Sequence, residues 1–448
     1  MIPLPRHLHL TGGDYFIHAM DRRMRRAGMG GNVCRIAIRL EGELDIEPLR
    51  QRVAASPVFD WLGRVRMTRP LPVLAPRWRA SAQPVELFHE HQGNGATGEI
   101  PGSLPPALFK RPLLASQGPA LALDLIRHAD STAHLVFSWN HALLDVHGAE
   151  LLLRHLCRND RSATRLDERE LVDHDQTNFN LLRRWRNFPR TVMTARGSLA
   201  LIDKTCGEPL LSLLPSLRQL RQCHIHFRVC SFNEEETARI DREGERLNAG
   251  FRRSLFYLAA SLKALHGVVL RRGGAAGAYL VPVPHDMRRR GGSGPIFSNQ
   301  LSFLFYRIEP HLAASLSDTI SELSQQMRDQ VRNRTPESFR AAMEMFKMMP
   351  LDFYNHRLDR PTRGKFASFF FTDAGETCAG MHEIYGARVT AVTHLAPALR
   401  PPGLTVVFSR FRRELSAVLS WVDDCLGTEE VKVLEGGLRA ALLGEEKS

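Results

Sequence analysis

The sequence predicts an α/β protein built from two similar halves, and three observations lead to that prediction. The chain has 448 residues, more than a single hydrophobic core usually serves, so two or three folding units are expected. A strand followed by an acid-capped helix occurs near the start of the chain and again after residue 222. Each half also ends with two strands, a Ser-Trp pair, a loop and a helix. Two such halves would meet at a cleft, which is where ligands commonly bind.

The elements of the N-terminal half follow from hydrophobic periodicity and from residues that commonly begin or end helices. In order, they are a helix over Asp14–Arg26, a strand over Val33–Leu40, a helix from Asp45 to about Ala55, strands over Ala120–Ile126 and Ala133–Ser138, and a helix from Ala149. The second helix is predicted because Asp45 is an acidic cap that is followed by the early proline Pro48. Residues 57–119 are rich in proline and weakly periodic, so they predict no long element.

The C-terminal half repeats this order after an arginine-rich connection. The expected elements are helices around Leu181–Arg196 and Leu210–Arg221, a strand over Cys223–Phe232, a helix after Asn233, strands over Leu404–Phe408 and Leu415–Trp421, and a helix over Thr428–Leu443. Asn233 with three following glutamates is typical of a capped helix start. We therefore divide the chain into an N-terminal half (1–160), a helical connection (161–222) and a C-terminal half (223–448).

The chain is basic. Its 60 Lys and Arg residues exceed its 48 Asp and Glu residues, which gives a formal charge of +12. This surplus fits a solvated basic surface or a partner that carries phosphate or carboxylate groups. No zinc-finger, RNP or helix-turn-helix pattern accompanies the arginines, so nucleic acid is not expected as a partner.

Cysteine usage and the absence of long apolar runs predict a cytoplasmic protein. No apolar run approaches the roughly 20 residues that cross a bilayer, and the N-terminus lacks the apolar stretch of a signal peptide. The seven cysteines are odd in number and form no C-x-x-C pair, which argues against a disulfide framework and a thiolate metal site. They lie at positions 34, 157, 206, 223, 230, 378 and 425. We expect them to be small buried hydrophobes.

A histidine-containing loop follows the second strand of the N-terminal hairpin and reads S-W-N-H-A-L-L-D-V-H-G from Ser138 to Gly148. A histidine at the end of a buried strand that faces a cleft is well placed to accept a proton. His141 is therefore the candidate general base, and the alternative is a core histidine with satisfied hydrogen bonds. Asp145 could orient the imidazole or pair with an arginine and hold the loop in shape. A metal site that includes His147 is not favoured, because no further ligands lie at a recognised spacing.

The segment N-H-A-L-L-D-V-H-G resembles the H-H-x-x-x-D-G motif of the superfamily that contains chloramphenicol acetyltransferase, nonribosomal peptide synthetase condensation domains and bacterial wax ester synthase/diacylglycerol acyltransferases. Three later segments resemble further motifs of that superfamily in the same order. They are L-V-P-V-P-H-D-M-R from Leu280, P-I-F-S-N-Q-L-S-F from Pro295 and K-F-A-S-F-F-F-T-D-A-G from Lys365. The opening L-T-G-G-D-Y-F is also similar, so the resemblance covers nearly all of the chain. The plant acyltransferase motif D-F-G-W-G is absent.

The resemblance implies a V-shaped pair of chloramphenicol-acetyltransferase-like halves with a tunnel between them. An acyl thioester would enter from one face and an alcohol or amine acceptor from the other. They would meet at the motif's second histidine, here His141, which would be the general base. The motif aspartate, here Asp145, would pair with Arg288 and support the loop.

The chain departs from the motif at two positions. Asn140 replaces the first histidine, and Val146 replaces the glycine after the aspartate, with Gly148 two residues later. Asn140 keeps hydrogen-bonding groups, so we expect it to support the motif together with Gly148. The displaced glycine leaves the backbone path of the loop open to question.

The oxyanion stabiliser and the tunnel lining are not fixed by the motif. Polar candidates are Asn299, Ser302, Ser368 and Thr372, each of which could equally be an ordinary strand residue, and a backbone N–H group could serve instead. The apolar clusters at residues 303–306, 343–349 and 369–371 could line a tunnel or form core.

These expectations together predict a free-standing, monomeric acyltransferase of specialised metabolism with no bound cofactor. It would move an acyl group from acyl-CoA, or from the phosphopantetheine arm of an acidic carrier protein, to a hydroxyl or amine. Two alternatives stay open. A wax ester or diacylglycerol type of enzyme would contact a lipid surface through the basic helix that carries Arg22, Arg23, Arg25 and Arg26. A non-catalytic module would bind a carrier protein without turnover.

Overall fold

The computed structural model of the chain describes residues 4–69, 76–93, 100–157, 171–172, 187–197, 209–214, 222–274, 276–288 and 294–445. Strands and helices occur together in both halves, which confirms the predicted α/β class. The helices are α1 (Gly12–Arg26), α2 (Ile46–Ala55), α3 (Pro57–Arg64), α4 (Pro106–Lys110), α5 (Val146–Cys157), α6 (187–197), α7 (Glu234–Arg246), α8 (Arg253–Arg271), α9 (Pro310–Ala313), α10 (Leu316–Arg332), α11 (Thr335–Phe346), α12 (Leu351–Asp359) and α13 (Thr428–Leu443). The strands are β1 (His7–His9), β2 (Val33–Glu41), β3 (Val65–Thr68), β4 (Arg77–Ala80), β5 (Phe88–Gln92), β6 (Leu121–Arg127), β7 (Thr132–Asn140), β8 (Ile225–Phe232), β9 (Tyr279–Asp286), β10 (Leu301–Ile308), β11 (Phe370–Glu376), β12 (Glu383–Ile384), β13 (Ala387–Leu395), β14 (Leu404–Phe411) and β15 (Glu414–Val422).

A six-stranded sheet in the order β12-β13-β2-β7-β6-β5 contains the strand that leads into the candidate site. Strands β2 and β7 pair antiparallel from Val33 opposite Asn140 to Glu41 opposite Thr132. Both strands are almost continuous runs of buried residues, which indicates that both faces of the sheet are covered. The pairing fixes the end of β7 at Asn140, so His141 is the first residue beyond the strand.

The C-terminal half has its own four-stranded sheet in the order β11-β14-β15-β8. Its hairpin β14–β15 is followed by α13, as the hairpin β6–β7 is followed by α5. In each hairpin the second strand carries the Ser-Trp pair, at Ser138-Trp139 on β7 and at Ser420-Trp421 on β15. The repeated order of elements that the sequence predicts is therefore present.

The two halves share a sheet. Strand β13 belongs to the C-terminal half of the sequence but pairs with β2, from Arg388 opposite Glu41 to Leu395 opposite Arg35. Strand β12 extends the same sheet beyond β13. Boundaries at residues 160 and 223 remain a proposal for the division of the chain, and they do not describe how the strands divide between sheets.

Much of the arginine-rich connection lies outside the described residues, and the described parts correct one prediction. Helix α6 overlaps the predicted range Leu181–Arg196. The helix expected from Leu210 is wrong over residues 210–214, because Leu210 forms a parallel bridge with Ala278 and Leu211 N donates to Ala278 O at 3.0 Å. Pro215 in the sequence also disfavours a helix there, because the residue before a proline, Leu214, is restricted to extended backbone. Residues 215–221 lie outside the described part.

Two expectations about the chain as a whole can be compared with the described residues. The six cysteines that are described are free and buried, which confirms their prediction as core residues, whereas Cys206 lies outside the described part. Among the described helices, none has both the length and the apolar character that crossing a bilayer requires.

Candidate active site

Backbone hydrogen bonds hold the loop after β7 on both sides of His141. His141 N donates to Asn32 O at 2.8 Å, and Leu143 N donates to Asn140 O at 2.9 Å. Ser298 N donates to Leu143 O at 3.0 Å, which ties the loop to the segment before β10. The histidine is therefore presented by a loop that both halves of the chain hold in place.

Asn140 stands where the resembling motif has its first histidine, and it is completely buried. Its Nδ2 donates to Asp21 Oδ1 at 3.1 Å and to Leu113 O at 3.0 Å, and its Oδ1 accepts from Ala142 N at 3.0 Å. Both N–H groups and the oxygen are thus used within the protein. The side chain shapes the loop and has no N–H group left for a substrate.

The imidazole of His141 is partly buried, and one of its nitrogens has a partner. Nδ1 lies 3.1 Å from Leu144 O. Because a carbonyl can only accept, Nδ1 must carry the proton, and Nε2 is then the acceptor in the neutral ring. Burial lowers the pKa of His141, and nearby backbone groups and Asp145 oppose this shift only in part. The ring is therefore an uncharged base at neutral pH.

The carboxylate of Asp145 is occupied by partners other than the imidazole. Oδ1 accepts from Gly148 N and from Arg288 Nη2, each at 2.9 Å. Oδ2 accepts from Gln300 N at 3.0 Å and from Arg288 Nη1 at 2.8 Å. Asp145 could have oriented the imidazole of His141 or paired with an arginine. In the structure it pairs with Arg288, and among the described residues its carboxylate makes no hydrogen bond to the imidazole.

Arg288 connects the histidine loop to the end of β9, and its side chain is only 5% exposed. Besides Asp145, it donates to Pro295 O at 2.9 Å and to Asp286 Oδ1 at 3.3 Å. Burial opposes the charge of Arg288, but Asp145 outweighs burial and the pKa of Arg288 is raised. The result is a charged, bidentate pair, a geometry that fixes orientation as well as distance.

Gly148 lies where α5 comes closest to the C-terminal half. Val146 is the first residue of α5, and Asp145 caps this helix through Gly148 N. A Cβ atom at position 148 would lie 2.1 Å from Ile296 O, a distance that no side chain can adopt beside a backbone oxygen. A glycine is thus needed at position 148, two residues later than in the H-H-x-x-x-D-G motif. Helix α5 itself begins directly after Asp145.

Asn299 holds the carbonyl groups of the histidine loop. Its Nδ2 lies 2.9 Å from His141 O, 3.2 Å from Ala142 O and 3.1 Å from Asp14 Oδ1. The preceding residue, Ser298, has a φ of +87°, which is unusual for a residue with a side chain and recurs at functional sites. The amide of Asn299 therefore positions the loop, and its N–H groups are used by protein oxygens.

Asp14 belongs to the same network, and it is not among the site residues that the sequence predicts. It is completely buried and accepts from Thr11 N at 2.9 Å, from Ser298 Oγ at 3.1 Å and from Asn299 N at 2.7 Å. Burial raises its pKa to about 6, although these hydrogen bonds oppose the shift. The available signal was T-G-G-D, because Thr11 and Asp14 form a reciprocal capping box at the start of α1. That signal locates the helix start but not the partner across the molecule.

The hydroxyl candidates have different surroundings. Ser302 Oγ donates to Pro336 O at 2.5 Å, and Ser368 Oγ donates to Leu211 O at 2.7 Å. Each serine has one hydroxyl proton, so neither can stabilise an oxyanion while it makes this bond. Thr372 is partly buried on β11 and stays a candidate. The predicted residues that one network brings together are Asn140, His141, Asp145, Gly148, Arg288 and Asn299.

An apolar cavity of about 550 Å³ lies between α1 and elements of the C-terminal half. Its wall contains seven phenylalanines: Phe16, Phe303, Phe305, Phe339, Phe346, Phe366 and Phe370. Along β10, Phe303 and Phe305 line the cavity, whereas Leu304 and Tyr306 are buried elsewhere, as the alternation of a strand requires. His141 is not among the lining residues. Helix α1 connects the cavity to the histidine loop, because it carries Phe16 in the cavity wall and Asp14 in the network that holds the loop.

The basic face of α1 packs against α12 through ion pairs. Arg22 and Arg26 pair with Asp352 at 3.1 and 2.8 Å, and Arg23 pairs with Asp359. These arginines therefore fasten one wall of the cavity to another. The ion pairs offset part of the positive charge of α1 that a lipid-binding helix would use.

Comparisons with known proteins show the fold. No protein-family model and no curated protein matches the chain. The first condensation domain of the calcium-dependent antibiotic synthetase, in complex with a substrate analogue, has a TM-score of 0.69 and 15% identity, over 97% of this chain and 95% of that chain. Trichothecene 15-O-acetyltransferase from Fusarium sporotrichioides has a TM-score of 0.68 and 14% identity, over 99% and 96%. A mutant of the starter condensation domain of rhizomide synthetase, in complex with C8-CoA, has a TM-score of 0.65 and 14% identity, over 98% and 95%. The chain has the fold of these condensation domains and of this acetyltransferase, which confirms the fold that the resemblance implies.

Proposed function

We propose that the protein transfers an acyl group from a thioester to a hydroxyl or amine acceptor, with His141 as the general base. The observation that carries this proposal is the hydrogen bond between His141 Nδ1 and Leu144 O. It leaves Nε2 as the acceptor of an uncharged imidazole, on a loop that Arg288 and Asn299 hold from the other half. The fold, shared with an acetyltransferase and with condensation domains, supports the class of reaction by analogy.

The reaction would proceed in a complex of the enzyme with both substrates. Nε2 of His141 takes the proton from the acceptor while the acceptor oxygen or nitrogen attacks the thioester carbonyl. The C–S bond then breaks, and the imidazolium returns its proton to the leaving thiolate, which restores the neutral ring. A positioned base of this kind contributes about 10²- to 10⁴-fold, or about 3 to 5 kcal/mol of barrier. Orientation of two bound substrates supplies further acceleration without an acyl-enzyme intermediate.

The donor in this proposal is acyl-CoA or an acyl group on the phosphopantetheine arm of an acidic carrier protein, in a pathway of specialised metabolism. The net charge of +12 favours either donor over a neutral one. The starter condensation domain with the same fold is in complex with C8-CoA, which supports a CoA thioester as the first donor to test. A lipid-surface enzyme is less favoured, because three of the four arginines of α1 pair with α12 and the fourth, Arg25, pairs with Asp21 of α1.

The decisive experiment compares His141→Ala with wild type, using octanoyl-CoA and octanoyl carrier protein against a panel of amines and alcohols. We expect kcat to fall by about 10²- to 10⁴-fold. In wild type, the acidic limb of the profile of kcat/KM against pH should lie below 6.5, the ordinary value for histidine, because burial lowers the pKa of His141. That limb should be absent from His141→Ala.

His147→Ala is the matched control, because this neighbouring histidine is exposed on α5. It should keep the activity and the pH profile of wild type. Unchanged product formation by His141→Ala would exclude the general-base role. Binding of donor without product from any acceptor, in wild type as well, would instead favour the non-catalytic module.

A further inference from the structure

Two arginines lie at the opening of the phenylalanine-lined cavity. Arg357 on α12 and Arg360 directly after α12 both line the cavity and are both exposed, so they lie where the cavity meets solvent. The backbone is helical from one to the other, and side chains three residues apart on a helix are neighbours, with Cβ atoms about 5 to 6 Å apart. Two positive charges therefore lie side by side at the mouth of an aromatic cavity.

These two guanidinium groups have no ion-pair or hydrogen-bond partner in the described part of the chain. The carboxylates of α12 are already engaged, Asp352 by Arg22 and Arg26 and Asp359 by Arg23. No acid lies three or four residues from either arginine in the sequence, so no pair along the helix can neutralise them. Two neighbouring cations without a counterion attract an anion.

We propose that the cavity binds a ligand with an aromatic or other apolar body and an anionic group, and that Arg357 and Arg360 bind the anionic group. The planar guanidinium matches the geometry of carboxylate and phosphate. An anion within the apolar interior would lose its hydration without compensation, so it stays at the mouth while the apolar body fills the cavity. A volume of about 550 Å³ accommodates a fused aromatic ring system or a medium-length acyl chain, since ligand pockets span about 300 to 1,000 Å³.

This inference rests on the proposed function for its place in catalysis, because the ligand would be part of a substrate of the acyl transfer. Helix α1 carries Phe16 in the cavity wall and, two residues earlier, Asp14, which hydrogen-bonds Asn299 beneath the histidine loop. The anionic group has two sources. It is a carboxylate of the transferred or accepting molecule, or a phosphate of the thioester donor.

Calorimetric titration at pH 7.5 tests the charge preference without turnover. The probes are 2-naphthoate with its neutral counterpart 2-naphthylmethanol, and octanoyl-CoA with its phosphate-free counterpart octanoyl-pantetheine. In wild type, at least one anionic probe should bind about tenfold more tightly than its neutral counterpart, which is about 1.4 kcal/mol. A preference for naphthoate assigns the site to a carboxylate, and a preference for octanoyl-CoA alone assigns it to the donor phosphate.

The variant Arg357→Ala/Arg360→Ala should lose this preference while binding of the neutral probes stays within about twofold of wild type. Both positions are exposed, so folding should not be affected. Arg271→Ala, at an exposed arginine at the end of α8, is the control and should keep the preference. Ala342→Trp fills the cavity and should abolish binding of both naphthyl probes. The proposal is overturned if no anionic probe is preferred, if the double variant keeps the preference, or if a folded Ala342→Trp binds as wild type does.

The His141→Ala variant separates this inference from the proposed function. It should bind all four probes as wild type does, because His141 does not line the cavity. If His141-dependent turnover is present but the charge preference is absent, only the present inference fails. If the preference is present and turnover does not depend on His141, only the general-base proposal fails.

Discussion

At the residue scale, the Asp145–Arg288 pair differs from ion pairs at the surface of the chain. Its side chains are 12% and 5% exposed, whereas those of Glu234 and Arg413 are 62% and 80% exposed. Exposed pairs contribute about 0 to 1 kcal/mol to stability, but removal of one partner of a buried pair costs about 3 to 5 kcal/mol. Because Asp145 also accepts from Gly148 N and Gln300 N, its carboxylate joins three separate segments. Such a group is suited to holding a loop and not to exchanging protons.

Asp14 should make stability depend on pH between about 4 and 6. Its pKa is about 6 in the folded protein, whereas an unperturbed Asp side chain has a pKa of 3.8. The folded state therefore holds the proton more tightly than the unfolded state. Stability then falls as pH rises through this window and is constant above it. Relative to Asp14→Asn, which cannot titrate, wild type should lose about 2.5 kcal/mol between pH 4 and pH 7.

Urea unfolding of wild type and Asp14→Asn at pH 4, 5, 6 and 7 measures this difference. The comparison removes the contributions of all other titrating groups, which the two proteins share. Parallel curves for the two proteins would contradict a raised pKa at Asp14. A gain in the stability of wild type relative to Asp14→Asn as pH rises would contradict the direction of the shift.

At the scale of elements, local signals predicted those helices whose ends are encoded in adjacent residues. Helix α13 runs over Thr428–Leu443 as predicted, α2 begins after Asp45, and α7 begins after Asn233. Capping contacts lie within one turn of the chain, so a short window of sequence contains them. The helix predicted from Leu210 is wrong for the opposite reason. Residues 210 and 211 bond to Ala278, which is distant in the sequence, so no short window of sequence contains the contact.

The candidate site was predictable only where a motif lies within one segment. The loop from Asn140 to Gly148 carries its own pattern, whereas the bond between Asp14 and Asn299 joins residues 285 positions apart. Strand alternation likewise assigns Phe303 and Leu304 to opposite faces, but it does not say which face meets a cavity. The sequence also does not show which hydroxyl protons are free, since the acceptor of Ser302 is Pro336 O on α11, 34 residues further along the chain.

The start of α5 should not tolerate a side chain at position 148. Gly148→Ala would place Cβ 2.1 Å from Ile296 O. Relief requires the helix to move away from the segment before β10, which binds the histidine loop through Asp145 and Leu143. We expect a loss of about 1 to 3 kcal/mol in stability and a fall in kcat, because the histidine loop moves with the helix. Thermal unfolding and octanoyl transfer measure the two effects.

The control, Gly436→Ala, changes the same residue type within a helix where nothing lies within 4 Å of the new Cβ. It should stabilise by about 0.5 to 1 kcal/mol, because alanine is the better helix former. Opposite signs at the two positions are expected. Equal stability and activity of Gly148→Ala and wild type would show that α5 does not approach the C-terminal half so closely.

At the scale of the whole molecule, three connections make the two halves interdependent. Strand β13 completes the N-terminal sheet, and the network of Asp14, Asp145, Arg288 and Asn299 joins the histidine loop to the segment around β9 and β10. The third connection is a buried cluster in which Thr377 links α5 to β13. A chain connected in this way should unfold in one step, with coincident transitions by different probes.

The cluster at Thr377 allows this to be tested away from the candidate site. Thr377 Oγ1 donates to Glu150 Oε1 and accepts from His394 Nε2, each at 2.6 Å, and all three residues are buried. Thr377→Val keeps the shape but removes the hydroxyl, so a buried carboxylate and a buried imidazole each lose a partner. The expected cost is about 1 to 3 kcal/mol, measured by urea unfolding with circular dichroism and tryptophan fluorescence.

Thr390→Val on β13 is the matched control, because the hydroxyl of Thr390 makes only a 3.5 Å contact to Arg39 O. It should change stability by less than about 0.5 kcal/mol. If Thr377→Val costs no more than this control, the cluster does not join α5 to β13. Circular dichroism and fluorescence could instead give separate midpoints for Thr377→Val. The contact between α5 and β13 would then be lost before the rest of the molecule unfolds, and the shared sheet alone would not couple the two halves. A single shifted transition is the result that an interdependent pair of halves requires.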